Sequence, residues 1–309
     1  MNILVTGGAG FIGSSVVDAY LEQGHNVIVV DNLFTGKEKN LNENIVFYNM
    51  DICDLSLGKI FKKHNIEIVN HHAAQLDVRK SVENPIFDAQ VNIIGSLNLL
   101  ENCVKYKVKK FIFASSGGVM YGESGGVSPD ENIPGKPMSP YGVSKLTVEN
   151  YLRYYSGLYG LKYTVLRYGN VYGPRQDPFG EAGVVAIFSR AMIRDEGVLI
   201  YGDGEQLRDY VFVGDVVRAS LLSLDKGEGE IINIGTGKTE SVNALFKAMS
   251  RITYYKKEPV YKAQRPGELL KSSLNVDKAK RLLSWVAEKQ FSKGLEETVR
   301  YFRGELHEG

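Results

Sequence analysis

Residues 1–31, MNILVTGGAGFIGSSVVDAYLEQGHNVIVVD, constrain this chain more than any other stretch. An apolar run (Ile3, Leu4, Val5) leads into Gly7, Gly8, Gly10 and Gly13. A helix-like stretch follows, then a second apolar run, Val27 to Val30, that stops at Asp31. The order strand, glycine turn, helix, strand, acid is what a dinucleotide needs. Glycine lets the backbone turn tightly and approach a pyrophosphate, and the free N–H groups at the helix start face the phosphates. Asp31 is placed to hydrogen-bond both ribose hydroxyls of an adenosine and to repel a 2′-phosphate, which favours NAD over NADP. The spacing GxxGxxG alone marks only a strand–helix turn. The flanking runs and the terminal acid make it a cofactor signal.

The 309 residues suffice for one large domain or two coupled ones. A net charge of +1 gives no basic excess to suggest nucleic acid as a partner. The two cysteines, Cys53 and Cys103, read as buried reduced thiols rather than a disulfide framework or a metal site. No apolar run approaches the length of a membrane span, and the N-terminal run reads as a first strand rather than a signal peptide. The expectation is a soluble cytosolic protein.

Strands and helices alternate through the first half, which implies an α/β fold with a doubly wound parallel (Rossmann-type) sheet. Strands are expected at residues 44–49, 66–70, 109–115 and 161–168. The polar loop after Asp31 carries Thr35 and Gly36. Asp51, just past the third strand, suits either an adenine contact or the cap of a helix starting near Leu55. The fourth strand ends in His71-His72-Ala73-Ala74, where small residues let a ligand come close. No carboxylate or cysteine at ligand spacing supports a metal there, so backbone and packing roles are preferred for the histidines. Residues 85–106 read as one long helix containing Asn92, either a surface amide or one facing a cofactor. Later helices are expected at 215–225, 243–252, 277–283 and 295–302. Residues 230–234 read as a strand that returns to the main sheet. The second half reads as a smaller α/β cap over the strand ends of the first. The expected division is 1–178 plus about 211–238 for the dinucleotide domain, and about 179–210 plus 239–309 for the substrate domain.

The chemistry centres on SPYGVSK. Ser139 can cap a helix, Pro140 suits its first turn, and Tyr141 and Lys145 share one face. Free tyrosine titrates near ~10, too high for a base at neutral pH. An ammonium one turn away and an oxidised nicotinamide both favour the phenolate. Tyr141 can then take a hydroxyl proton as hydride leaves the same carbon, with Ser116 holding the hydroxyl. Lys145 can also bond the nicotinamide ribose. YxxxK alone is commonly an exposed pair; behind a strand ending in Ser-Ser and an N-terminal dinucleotide unit it points to a carbinol-oxidising site.

TGGAGFIGS, Asp31-Asn32, HHAAQ, FIFASSGGVMYG, SPYGVSK, LRYGNVYGPR and LRDYVFVGD together resemble the extended short-chain dehydrogenase/reductases that act on nucleotide sugars. The resemblance is closest to the UDP-galactose 4-epimerase family, including its UDP-hexose and UDP-hexosamine relatives, and covers residue 1 to about 302. It implies a tightly held NAD and a UDP-sugar substrate. It also implies a homodimer through a four-helix bundle built from 85–106 and 140–159. Tyr141 matches the catalytic base, Lys145 its partner and Ser116 the catalytic serine, with Ser115 as the rival. Gly7, Gly10, Phe11, Ile12, Gly13, Asp31, Asn32, Thr35, Gly36, Asp51, Ile52, Ala73, Ala74, Gln75, Asn92, Ser115, Tyr141, Lys145 and Tyr168 match cofactor contacts. Ser116, Tyr141, Asn170, Gly183, Val184, Tyr201, Arg208, Arg265, Glu268 and Ser272 match the substrate side. There Arg208 and Arg265 clamp the diphosphate, for which a guanidinium fork is suited, and Tyr201 packs on uracil.

Two features narrow the activity the resemblance implies. The family's 4,6-dehydratases and decarboxylases carry an acid soon after the catalytic Ser or Thr. Here Gly117 and Gly118 follow Ser116, and the first acid is Glu123, which favours epimerisation. Ser272, seven residues after Arg265, stands where the strict galactose/glucose enzymes can carry tyrosine, and so leaves space beside the sugar C2. The expected reaction is C4 epimerisation of UDP-glucose and UDP-galactose, extending to UDP-N-acetylhexosamines. The alternatives are UDP-uronic acid epimerisation, dehydration or decarboxylation, and non-catalytic NAD sensing.

Overall fold

The computed structural model describes residues 1–122, 127–179, 183–264 and 269–307. Six strands come from residues 1–168: β1 (Asn2–Thr6), β2 (Asn26–Asp31), β3 (Val46–Asn49), β4 (Ile68–His71), β5 (Lys110–Ser116) and β6 (Lys162–Tyr168). A seventh, Glu230–Ile234, returns as expected and pairs with β6. The sheet runs seventh strand–β6–β5–β4–β1–β2–β3 and every pairing is parallel. The chain moves outward from β1 to β3, then crosses back to place β4 on the other side of β1. That reversal opens a crevice beyond the carboxyl ends of β1 and β4, the place where doubly wound sheets bind ligands.

Helices cover both faces, so the central strands are apolar runs rather than alternating ones. Strand period two still sorts their side chains. Leu4, Ile28 and Val30 join one core layer with Phe111, Val148 and Leu152. Ile3, Val5, Val27 and Val29 join the other, with Val16, Tyr20 and Trp285. A third core, built around Tyr172, Phe188, Phe212, Leu245 and Met249, lies in the second half of the chain. There, Leu207–Arg208 pairs with both Glu240–Ser241 and Lys271–Ser272. Leu199–Tyr201 pairs with Val260–Lys262.

Several boundaries differ from expectation. The third strand starts at Val46, and the helix expected from residue 215 runs Val213–Leu222. The last helix is longer, Phe291–His307. The single helix expected at 85–106 is three consecutive segments: Pro85–Ala89, a π-helical turn Gln90–Ile94, and Gly95–Lys105. Periodicity shows a long apolar face but carries no signal for one turn of wider winding. The Pro140–Tyr159 helix has the expected signals in place. The Ser139 hydroxyl accepts the Gly142 N–H at 3.2 Å, Pro140 opens the first turn, and Gly160 ends it at φ 71°. Among the described residues no helix is long and apolar enough to cross a membrane.

The Pro140–Tyr159 helix is tied to the sheet by a buried ion pair. Glu149 accepts from Arg167 Nε at 3.0 Å and Nη2 at 2.6 Å, and from the Ser115 hydroxyl at 2.6 Å. Arg167 Nη1 also donates to the Tyr121 hydroxyl at 2.7 Å, and Tyr121 donates to Asn233 Oδ1 at 2.8 Å. One helix, β5, β6, the loop after β5 and the seventh strand are thereby linked by one polar chain. Both charges are almost wholly covered, with side chains 4% and 1% exposed, so neither tolerates loss of its partner. Glu149→Ala is expected to destabilise the fold by about 3–5 kcal/mol, because Arg167 stays buried and unpaired. Chemical denaturation of the variant checks this.

Candidate active site

The crevice holds a cavity of about 370 Å³ whose wall starts at the glycine turn. Gly7 follows β1 at φ +70°, and a Cβ there would lie 2.6 Å from the Ala73 nitrogen. A Cβ on Gly13 would stand 2.1 Å from the Gly7 carbonyl oxygen. Only glycine lets the helix α1 (Phe11–Glu22) start this close to the turn. Gly10 caps α1 without a side-chain hydrogen bond. The first-turn N–H groups, beside Phe11, Ile12 and Gly13 on the cavity wall, therefore suit an anionic ligand.

Asp31 closes the other side. Its Oδ2 accepts the Ala9 N–H at 3.0 Å and its Oδ1 the Leu33 N–H at 2.8 Å. A carboxylate has about four acceptor sites, so capacity remains for ribose hydroxyls. Gly36 is not on the wall. It backs the carboxylate, since a Cβ there would come within 2.7 Å of Asp31 Oδ1. Asn32, Thr35, Asp51 and Ile52 do line the cavity. Asp51 accepts from Asn32 Nδ2 and from the Cys53 N–H, each at 2.8 Å. The cap near Leu55 is supplied by Asp54, which accepts the Ser56 N–H, so Asp51 has no capping role.

Beyond β4, Ala73, Ala74 and Gln75 complete the wall, together with Tyr168 at the end of β6. Both His71 nitrogens are engaged by hydroxyls, Thr6 at 2.7 Å and Ser96 at 2.9 Å. His72 lies parallel to the Tyr168 ring with centroids 6.4 Å apart. Burial pushes its imidazole down to about 3, so it is neutral. Asn92 is neither a surface amide nor on the cavity wall. It is 3% exposed, accepts the Gln75 N–H at 2.9 Å, and donates to the Gln75 carbonyl and to Asp88 Oδ1, each at 2.9 Å. The π-helical turn turns its amide inward, where it holds Gln75 in place. The amide thus supports a residue that lines the cavity.

Tyr141 and Lys145 lie on the wall one helical turn apart. The Lys145 ammonium stands 5.7 Å from the Tyr141 ring centroid and 4.7 Å from that of Phe113. It donates to the Ala114 carbonyl at 2.8 Å. Burial pulls its pKa down to about 8, against the opposing pull of Asp88 and Glu149. At the end of β5, strand alternation separates the two serines. The Ser115 hydroxyl is committed to Glu149. The half-buried Ser116 hydroxyl faces a space bounded by Gly118. A Cβ on Gly118 would lie 4.0 Å from Ser116 Oγ, 3.8 Å from Asn170 Oδ1 and 3.8 Å from Ser272 Oγ. Asn170 Oδ1 is buried with no hydrogen-bond partner among the described residues, which marks it for a ligand donor.

The remaining substrate-side residues are more spread out. Arg208 pairs in register with Ser272. Asp209 anchors that strand by accepting from Thr236 N and Oγ1 at 2.7 Å and Gly237 N at 3.0 Å. Tyr201 ends the Leu199–Tyr201 strand, and Gly183 and Val184 start the helix Val184–Ile193. Arg265, Glu268 and Glu123 lie outside the described residues. Two contributors were missed in the sequence: Gly118, which bounds the sugar-side space, and Asp88, whose only signal was its place four residues before Asn92.

Residues 3–235 match the model of the NAD dependent epimerase/dehydratase family. The chain belongs to this family. A UDP-glucose 4-epimerase of Thermotoga maritima, solved with UDP-glucose, is 57% identical, with a TM-score of 0.98 over 99% of this chain and 100% of that one. The UDP-glucose 4-epimerase of Thermus thermophilus, solved with NAD, is 43% identical, with a TM-score of 0.94 over 98% and 99%. A UDP-glucuronate 4-epimerase of Thermodesulfobacterium geofontis is 36% identical over 96% of this chain and 95% of its own.

NAD is the cofactor of this epimerase/dehydratase-family enzyme, and the cavity fits it. The glycines leave room where any Cβ would collide, the α1 start offers N–H groups to the pyrophosphate, and Asp31 keeps free acceptor sites for a ribose. Asp31→Ala is expected to weaken NAD at least about tenfold, the loss of ~1.4 kcal/mol or more, and to abolish discrimination against NADP. Calorimetric titration of both cofactors checks this.

Proposed function

We propose that this enzyme interconverts UDP-glucose and UDP-galactose by inverting the sugar C4, and accepts UDP-N-acetylhexosamines as well. The observation that carries the reading is the Tyr141–Lys145 pair on the wall of the NAD cavity. At the end of the adjoining β5, Ser115 lines the cavity with its hydroxyl bound to Glu149, and the hydroxyl of the next residue, Ser116, is free of that network. The chemistry that bound NAD supplies is reversible hydride transfer at C4. Tyr141 removes the proton from the 4-hydroxyl and, after the keto sugar has turned its other face to the cavity, returns a proton to the same oxygen. Lys145, as an ammonium, favours the phenolate form of Tyr141. Ser116 holds the oxygen in place, and the commitment of Ser115 to Glu149 supports Ser116 as the catalytic serine. Asn170 accepts from the sugar or diphosphate. Arg208 and Arg265 hold the diphosphate while the keto sugar turns, and Tyr201 packs on uracil. Gly183 and Val184, at a helix start, and Glu268 complete the nucleotide side.

Epimerisation is favoured over dehydration because Gly117 and Gly118 put no acid beside Ser116. The extension to hexosamines is supported by the small Ser272 at the Gly118 space. Residues 1–178 with about 211–238 form the NAD domain in this reading, and about 179–210 with 239–309 the nucleotide-sugar domain. The protein is read as cytosolic, and a homodimer through the 85–105 segments and the Pro140–Tyr159 helix is supported by the exposed apolar side chains Ile86, Phe87 and Ile94 on the former and Val143, Tyr154 and Leu158 on the latter.

The purified protein, incubated without added NAD with UDP-glucose, UDP-N-acetylglucosamine and UDP-glucuronate, tests the substrate. NMR should show the galactose epimer from the first and the corresponding epimer from the second. Turnover of UDP-glucuronate alone would replace this reading with the uronic-acid one. Tyr141→Phe is expected to lower turnover by about 10²–10⁴-fold while NAD still binds. Ser272→Tyr is expected to depress UDP-N-acetylglucosamine turnover far more than that of UDP-glucose, measured as the ratio of the two kcat/KM values.

A further inference from the structure

Four charged side chains are buried at or behind the cavity wall: Asp88, Lys145, Glu149 and Arg167, each no more than 4% exposed. Glu149 and Arg167 form a two-pronged ion pair and neutralise each other. Asp88 and Lys145 remain. Asp88 is fully buried, yet its hydrogen bonds come only from neutral groups. Gln75 Nε2 donates at 3.1 Å and Asn92 Nδ2 at 2.9 Å to Oδ1, and the Ser144 hydroxyl at 2.6 Å to Oδ2. Among the described residues it makes no ion pair within 4.0 Å. Lys145 likewise has one neutral acceptor, the Ala114 carbonyl. A lone carboxylate and a lone ammonium are each costly in an apolar interior, and charge balance assigns each to the other.

We propose that Asp88 is the counter-charge of Lys145 and acts as a positioning residue for the Tyr141–Lys145 pair. Its helix (Pro85–Ala89) packs on the Pro140–Tyr159 helix, and its Ser144 bond grips the residue next to Lys145. Its Gln75 bond ties the same carboxylate to the cavity wall, so one group sets both the charge and the place of the lysine. The other groups facing Lys145 do not do this work. Tyr141 lies on its own helix, and Glu149 is taken by Arg167 of β6. His71, the last residue of β4, and His72 just after it are held neutral by burial and do not attract a cation. The first influence that opposes desolvation at Lys145 is the Asp88 charge, consistent with this assignment. The pairing of charges stands independently of the epimerase reading; only its effect on Tyr141 rests on that reading.

Asp88→Asn separates charge from geometry. The asparagine Oδ1 can keep both amide donors, and its Nδ2 can donate to the Ser144 hydroxyl, so every hydrogen bond survives without the negative charge. Protein labelled with ¹³C-lysine, with the Lys145 signal assigned from Lys145→Met, reads the ammonium directly and needs neither substrate nor turnover. In Asp88→Asn its midpoint is expected to fall by about one to two pH units, because the ammonium loses its anion. In Ser144→Ala, which keeps the charge and loses one bond, it is expected to stay near the wild-type value. An unchanged midpoint in Asp88→Asn, or an equal fall in both variants, would overturn the proposal. If Asp88→Asn does not fold, denaturant unfolding of Lys145→Met and Asp88→Asn/Lys145→Met decides. The double variant is expected to be the more stable, since it no longer buries an unmatched carboxylate. A double variant no more stable than Lys145→Met, or one that also fails to fold, would assign Asp88 a purely structural role.

Discussion

The close approach of backbone to backbone at the start of α1 is the contact on which the site depends. Gly13 lies against the Gly7 carbonyl, and Gly7 against the Ala73 nitrogen, at separations that exclude any Cβ. This brings β1, α1 and the end of β4 to one point, where the strand order reverses. A methyl group here would push α1 away from the sheet and close the crevice from which the NAD cavity is made. The N–H groups at the α1 start are left for a ligand because no side chain caps them.

Around that crevice the protein buries charge in matched pairs. Glu149 and Arg167 lock the helix of Tyr141 and Lys145 to β5 and β6, and in doing so take up the Ser115 hydroxyl. Ser116, one residue on, is turned toward Gly118, Asn170 and Ser272. The same polar chain reaches through Tyr121 to Asn233 on the seventh strand, whose N–H is accepted by Glu131 at 2.7 Å. The helix that carries Tyr141 and Lys145 is therefore braced from the far edge of the sheet. A rigid backing of this kind suits the role proposed for Tyr141, which takes a proton and gives one back.

Much of this was legible in the chain. The run of apolar, glycine and acidic positions up to Asp31 has few solutions, because the backbone must turn at positive φ and strands buried on both faces must be apolar. Ser139-Pro140 marks the start of its helix through local capping alone. The π-helical turn at Gln90–Ile94 was not legible, since apolar periodicity tolerates one extra residue per turn without a change of face. The inward turn of Asn92 onto Gln75 was not legible either, because a surface amide and a buried one look alike in a sequence. Asp51 and Asp54 lie three residues apart, and only the observed bonds show that Asp54 caps the helix while Asp51 faces the cavity.

The sequence by itself determined the parallel α/β fold, the dinucleotide unit and the Tyr141–Lys145 face, because each follows from interactions within a few residues of chain. Tertiary structure alone decided which of two adjacent serine hydroxyls stays free, which buried carboxylate matches which cation, and which three side chains close on Gly118. Those outcomes depend on groups tens of residues apart competing for the same partners in a space that water cannot reach. Glu149 meets Ser115 and Arg167, and Asp88 meets Ser144, only after the sheet and its helices have packed.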